Sequence, residues 1–298
     1  METFTTSAIS ILVPFSSMLI LASSGFLDKV EHEIGLQYYA EPAWIPFISF
    51  MPFNTLINFA YIGYGLYWCI LTKVSVDHGI LKKKDIFMFY TFNFMCTVYG
   101  FVQLMRIITQ TTFWAIMDQW CTLPFFSILF IWGLYYQHGW SSSRAGAIVL
   151  ISLMSYFLSL QYKIGFEIAL GLHIITAIIG AYIAYQKHRA ADCMTSFYLA
   201  ITFCFGFVVL KLLDHYLADI FILFRYTSGH FLSKICDVAQ IACVNNFFFD
   251  LTLQKEADFS HEEKKKYFEN YDNEYFQKGF TNDIMFEIVR RPKTNLIN

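Results

Sequence analysis

Residues 165–185 read GFEIALGLHIITAIIGAYIAY, an apolar run broken by one carboxylate, Glu167, and one imidazole, His173. At about 1.5 Å of rise per residue, a helix of this length reaches across the ~30 Å of hydrocarbon in a bilayer. In hydrocarbon a segment must satisfy its own backbone hydrogen bonds, which a single run can do only as a helix. Stretches of similar character lie at about 7–27, 46–72, 86–109, 112–136, 145–161, 195–213 and 229–252. The expected fold is therefore all-α, a polytopic membrane helical bundle of about eight helices.

Composition supports that reading. Of 298 residues, 56% are hydrophobic and 19% aromatic, while 15% are charged, well below the roughly one quarter of soluble domains. The mean hydropathy is +0.46. A net charge of −2 offers no bulk attraction to nucleic acid, and the basic residues form no single stripe, so no nucleic-acid partner is expected. Cys69, Cys96, Cys121, Cys204, Cys236 and Cys243 lie in hydrophobic segments without CxxC spacing and are expected to be buried thiols. The 33 Phe and 19 Tyr are expected chiefly at lipid-facing and interfacial positions.

The chain divides at about residue 252. Residues 1–252 form the multi-pass domain, whose first segment carries no positive leader and reads as a retained anchor helix. Residues 253–298 turn charged, with Glu262, Glu263, Lys264, Lys265 and Lys266 followed by Tyr267, Phe268, Tyr271, Tyr275 and Phe276. That pattern fits an interfacial helix or a partly disordered tail. Lys73, Lys82, Lys83, Lys84, Lys187, Arg189 and Lys255 fall on one set of connections, against Lys29, Lys163 and Arg225 on the other. The positive-inside rule then places both termini in the cytoplasm. No retention, glycosylation or lipidation motif chooses between an endomembrane and the plasma membrane.

With that orientation, the ionisable residues within the spans share the non-cytoplasmic leaflet. Arg106 closes the third span and Asp118 lies early in the fourth; His173 and Glu167 sit in the outer half of the sixth. Lys211, Asp214 and His215 end the seventh, with Lys211 one turn from the other two. His230, Lys234 and Asp237 open the eighth at i, i+4, i+7 spacing and so share one face. Charges in hydrocarbon are costly unless they are paired inside the bundle, where they mark a site by default. Three cations, Arg106, Lys211 and Lys234, can balance Asp118, Asp214 and Asp237 in a polar chamber. Asn54 and Asn58, one turn apart, add amides for an interhelical bond or a ligand headgroup. Pro124 is expected to free a carbonyl and kink the fourth helix just below Asp118. The competing reading is that the network only clamps helices.

The stretches Tyr38–Glu41, Met51–Asn58, Asp118–Pro124, Gly165–Gly171, Gly206–His215 and Thr227–Asp237 resemble the transmembrane protein 187 family, a multi-pass family. The likeness covers roughly residues 28–252 and implies architecture more than chemistry. A more distant resemblance is to the alkaline ceramidases and related seven-helix membrane hydrolases. It rests on Asn54-Thr55-x-x-Asn58, on Asp118 before Leu123-Pro124, on Asp214, and on His230. It implies a seven-helix core preceded by one N-terminal helix. Those hydrolases hold zinc with a histidine on the second core helix and a His-x3-His pair on the seventh. This chain has no histidine between His78 and His138, and its pair is reduced to His230 and Lys234. No cofactor is therefore expected, with a rearranged zinc set of His230, His215, Asp237 and Asp118 as the exception.

The leading expectation is a membrane protein whose chamber binds a lipid or small amphiphile. The alternatives are a lipid amide or ester hydrolase and a transporter. In the hydrolase, His230 or His215 would act as base, Asp214 or Asp237 as orienter, and Lys234 or Arg106 would stabilise negative charge.

Overall fold

A computed structural model describes residues 2–30, 38–41, 51–188 and 193–258. All regular structure among them is helical: α1 (Glu2–Ser23), α2 (Pro52–Asp77), α3 (Ile86–Thr109), α4 (Thr112–His138), α5 (Ser142–Ser155), α6 (Gly165–His188), α7 (Cys193–Leu212), α8 (Asp214–Ile220) and α9 (Gly229–Asp258). A 3-10 turn extends α5 over Tyr156–Leu160, and another, Ile222–Arg225, precedes α9. The described residues up to Leu253 belong to one compact unit. Arg189 and the tail from residue 259 onward lie outside the described residues.

Six helices among the described residues are long and apolar enough to cross a membrane: α1, α3, α4, α5 with its 3-10 extension, α6 and α7. The molecule is thus a polytopic helical bundle. The long helices α2 and α9 carry more polar residues, and the buried ones among these turn inward. α3 and α4 form the centre: 72% and 78% of their apolar windows are buried, against 17% in α1 and 11% in α5. Large apolar side chains such as Ile151, Ile175 and Phe205 remain exposed on α5, α6 and α7, where hydrocarbon would cover them.

Local chemistry sets the turns. Gln110, in the left-handed region at φ 51°, ends α3, and extended Thr111 starts α4, so two residues reverse the chain. Pro52 at the first turn of α2 costs no hydrogen bond because the N–H there has no helical partner. Pro124 lies inside α4, which continues as one helix to His138. Leu213, at φ −96° and ψ 8°, separates α7 from α8. That break was not expected; beyond it Asp214 caps α9 and His215 is exposed.

Large aromatic side chains make up much of the bundle's core. Trp132 stacks on Phe248 at 4.0 Å and meets Phe89 edge-on at 4.7 Å. Trp68, Trp120, Tyr61 and Phe92 are fully buried. Other aromatics, among them Phe59, Phe101, Tyr198 and Phe205, are exposed on the bundle surface, as the lipid-facing expectation has it. Among the described residues no two cysteines form a disulfide, and Cys236 is only half-buried. α6 lies against α4 through the small residues Ala169, Ala177, Gly180 and Ala184, so that Gly133 of α4 meets the Gly180 backbone directly.

Candidate functional site

Two buried carboxylates from outside the long helices organise the polar end. Glu41 caps α2: its Oε1 accepts the Phe53 N–H at 2.7 Å and its Oε2 the Asn54 N–H at 3.0 Å. The Asn54 side-chain amide donates to the same Oε2 at 2.6 Å. These bonds satisfy N–H groups that a helix start leaves bare, where the helix dipole also favours negative charge. Burial pushes the Glu41 carboxyl above its ordinary value; the backbone donors, the Asn54 amide and the Lys234 charge pull against that rise. Asp214 does the same for α9, accepting the His230 N–H on Oδ1 and the Ala40 N–H on Oδ2, both at 3.0 Å. Gly229 permits this approach, since a Cβ there would stand 2.7 Å from the Leu210 carbonyl oxygen.

From these caps α2 and α9 run parallel, joined by a ladder of side chains. Asn54 donates to Ser228 Oγ at 3.3 Å, Lys234 Nζ to Asn58 Oδ1 at 3.1 Å, and the Tyr61 hydroxyl to Asp237 Oδ2 at 2.8 Å. Deeper in the bundle, Asn93 and Asn245 exchange amide hydrogen bonds of 2.7 and 3.0 Å between α3 and α9. Across the α3–α4 turn, Arg106 forms a buried ion pair with Asp118 Oδ2.

Between these groups lies a cavity of about 30 Å³. Gln103, Arg106, Asp118, Lys211, His230 and Lys234 form its polar wall, and Phe166, Leu170 and Phe207 an apolar part of it. Asp118 Oδ1 and Gln103 Oε1 are buried and have no hydrogen-bond partner among the described residues. The space fits about two water-sized groups.

Five of the sequence-selected residues thus meet at one cavity: Arg106, Asp118, Lys211, His230 and Lys234. The others are engaged elsewhere. Asn54, Asn58 and Asp237 belong to the α2–α9 ladder, and Asp214 is a cap. His215 is exposed on α8. His173 joins α6 to α5, with Nδ1 2.7 Å from the Ala169 carbonyl and Nε2 2.9 Å from Ser152 Oγ. Among the described residues no group of three or more His, Cys, Asp or Glu is placed to hold a metal ion, so the rearranged zinc set is not assembled.

Sequence reasoning missed Glu41, Tyr61, Gln103 and Ser228. A signal for Tyr61 existed: Asn54, Asn58 and Tyr61 repeat the i, i+4, i+7 spacing of His230, Lys234 and Asp237. Glu41, isolated in a connection, carried none.

A helical bundle with several helices long and apolar enough to cross a membrane, and with charge buried among them, defines a multi-pass integral membrane protein. The chain belongs to the TMEM187 protein family, whose model matches residues 7–249. It is 39% identical over 232 residues to transmembrane protein 187 of Bos taurus, a match covering 76% of this chain and 90% of that protein. To transmembrane protein 187 of Homo sapiens it is 39% identical over 219 residues, covering 73% of this chain and 81% of the relative. No solved structure matches it.

Proposed function

We propose that this member of the family binds a lipid or small amphiphile, whose polar group enters the chamber at the Arg106–Asp118 pair. One observation carries the reading: Asp118 Oδ1 and Gln103 Oε1 are buried at a cavity and have no hydrogen-bond partner among the described residues. The Asn93–Asn245 pair, by contrast, closes its hydrogen bonds in both directions. Membrane lipids are then the partners, without nucleic acid.

The test is lipid mass spectrometry of the full-length protein purified in mild detergent, compared with the membrane it came from. One lipid class should be enriched with the wild type and lost from Lys234→Met or Gln103→Leu, with at least one of these variants remaining monodisperse. A lipid profile equal to bulk membrane in all three proteins would overturn the reading.

The proposal includes the topology. Lys73, Lys82, Lys83 and Lys84 favour a cytoplasmic α2–α3 connection, which puts the chamber on the non-cytoplasmic side and both termini in the cytoplasm. Residues 253–298 then form a cytoplasmic tail on a protein of an endomembrane or the plasma membrane. In sealed, cytoplasmic-side-out vesicles, protease should remove a C-terminal tag without detergent. Protection of the tag would reverse the assignment.

A further inference from the structure

We infer that the polar group the chamber accepts is an uncharged hydroxyl, so that the ligand is a neutral, hydroxyl-bearing lipid; the inference rests on the lipid-binding reading above. The wall presents two kinds of unfilled hydrogen-bonding capacity. Asp118 Oδ1 and Gln103 Oε1 accept and have no donor among the described residues. Lys234 carries three N–H donors, and among the described residues its ammonium makes one hydrogen bond, to Asn58. A hydroxyl donates one hydrogen bond and accepts up to two, so a single group can answer both kinds.

Charged headgroups fit less well. An ammonium can donate to Asp118 and Gln103 but must sit among Arg106, Lys211 and Lys234, and like charges repel strongly where water is excluded. An ionised phosphate meets the cations, yet it only accepts, and so leaves both bare acceptors facing further negative charge. The cavity, about 30 Å³, has room for a hydroxyl with its attached carbon. Phe166 and Leu170 of α6 and Phe207 of α7 supply the hydrocarbon side of the wall, against which the alkyl chain of such a lipid can lie.

The experiment uses three photo-crosslinking probes with the same sixteen-carbon, diazirine-bearing chain, ending in a hydroxyl, a phosphate or a trimethylammonium group. Each is titrated onto full-length protein in nanodiscs, with and without its unlabelled counterpart. The hydroxyl probe should label saturably, be competed by a long-chain alcohol, and bind roughly three- to tenfold more weakly to Gln103→Leu, as expected for one lost hydrogen bond. Preferential saturable labelling by the phosphate or trimethylammonium probe would overturn the inference and leave lipid binding standing. Labelling that no competitor reduces, for all three probes, would remove both. The comparison among probes is made on the wild type and so does not depend on how any variant folds.

Discussion

Arg106→Met should be among the most destabilising single substitutions in the bundle, lowering stability by about 3–5 kcal/mol, because it leaves the Asp118 carboxylate buried without its counter-charge. Much of that cost belongs to the stranded charge, and a double substitution separates the two contributions. Arg106→Met with Asp118→Leu removes both charges and should recover most of the loss, giving a large coupling energy in a double-mutant cycle. Chemical unfolding in detergent micelles, following the buried tryptophans, measures it. Additive losses from the two single changes would mean that the pair is not formed in the folded protein. The same double variant should lose the lipid enrichment proposed above, since Asp118 contributes one of the two unpartnered acceptors. Stability regained while binding stays lost is the combination that a structural clamp alone would not produce.

Gly133→Ala should be comparably damaging for a different reason. An added Cβ would lie 2.1 Å from the Gly180 carbonyl oxygen and 2.7 Å from its Cα, so α4 and α6 would have to separate. Overpacking of this kind costs about 1–3 kcal/mol and sometimes more, and a rigid backbone neighbour puts this position at the upper end. Gly180→Ala meets Phe130 Cα at 2.8 Å and should cost less. Gly171→Ala, on the same helix with nothing within 4 Å of the new atom, is the control and should be neutral. Thermal stability of the three purified variants gives the ranking. Equal melting temperatures for Gly133→Ala and Gly171→Ala would show that α4 and α6 do not approach through these glycines.

Much of the architecture was legible because the bilayer makes one demand of every crossing segment: enough apolar residues in a row. Which side of each helix faces inward was less legible. Lipid tails are as apolar as a protein core, so Trp132 and Phe89 read the same whether they face lipid or each other. Polar residues carried the facing signal, and it worked where the helix stayed regular. Lys234 and Asp237 share the inward face of α9 as their spacing required. It did not foretell the α7–α8 boundary at Leu213, past which Asp214 is a cap and His215 is exposed. Glu41 was illegible for a related reason: its partners are backbone N–H groups of α2, and backbone donors have no sequence signature.

The two-residue reversal at Gln110 and Thr111 also bears on the order of assembly. Arg106 and Asp118 are 12 residues apart, whereas Lys234 reaches Asn58 across 176. Closing a short loop costs little chain entropy, and the cost grows with separation. The guanidinium and the carboxylate can therefore meet as soon as their two helices exist, and α3 and α4 can enter hydrocarbon as a hairpin already neutral at its tip. The chamber's remaining cations, on α7 and α9, are synthesised later and dock against that neutral hairpin.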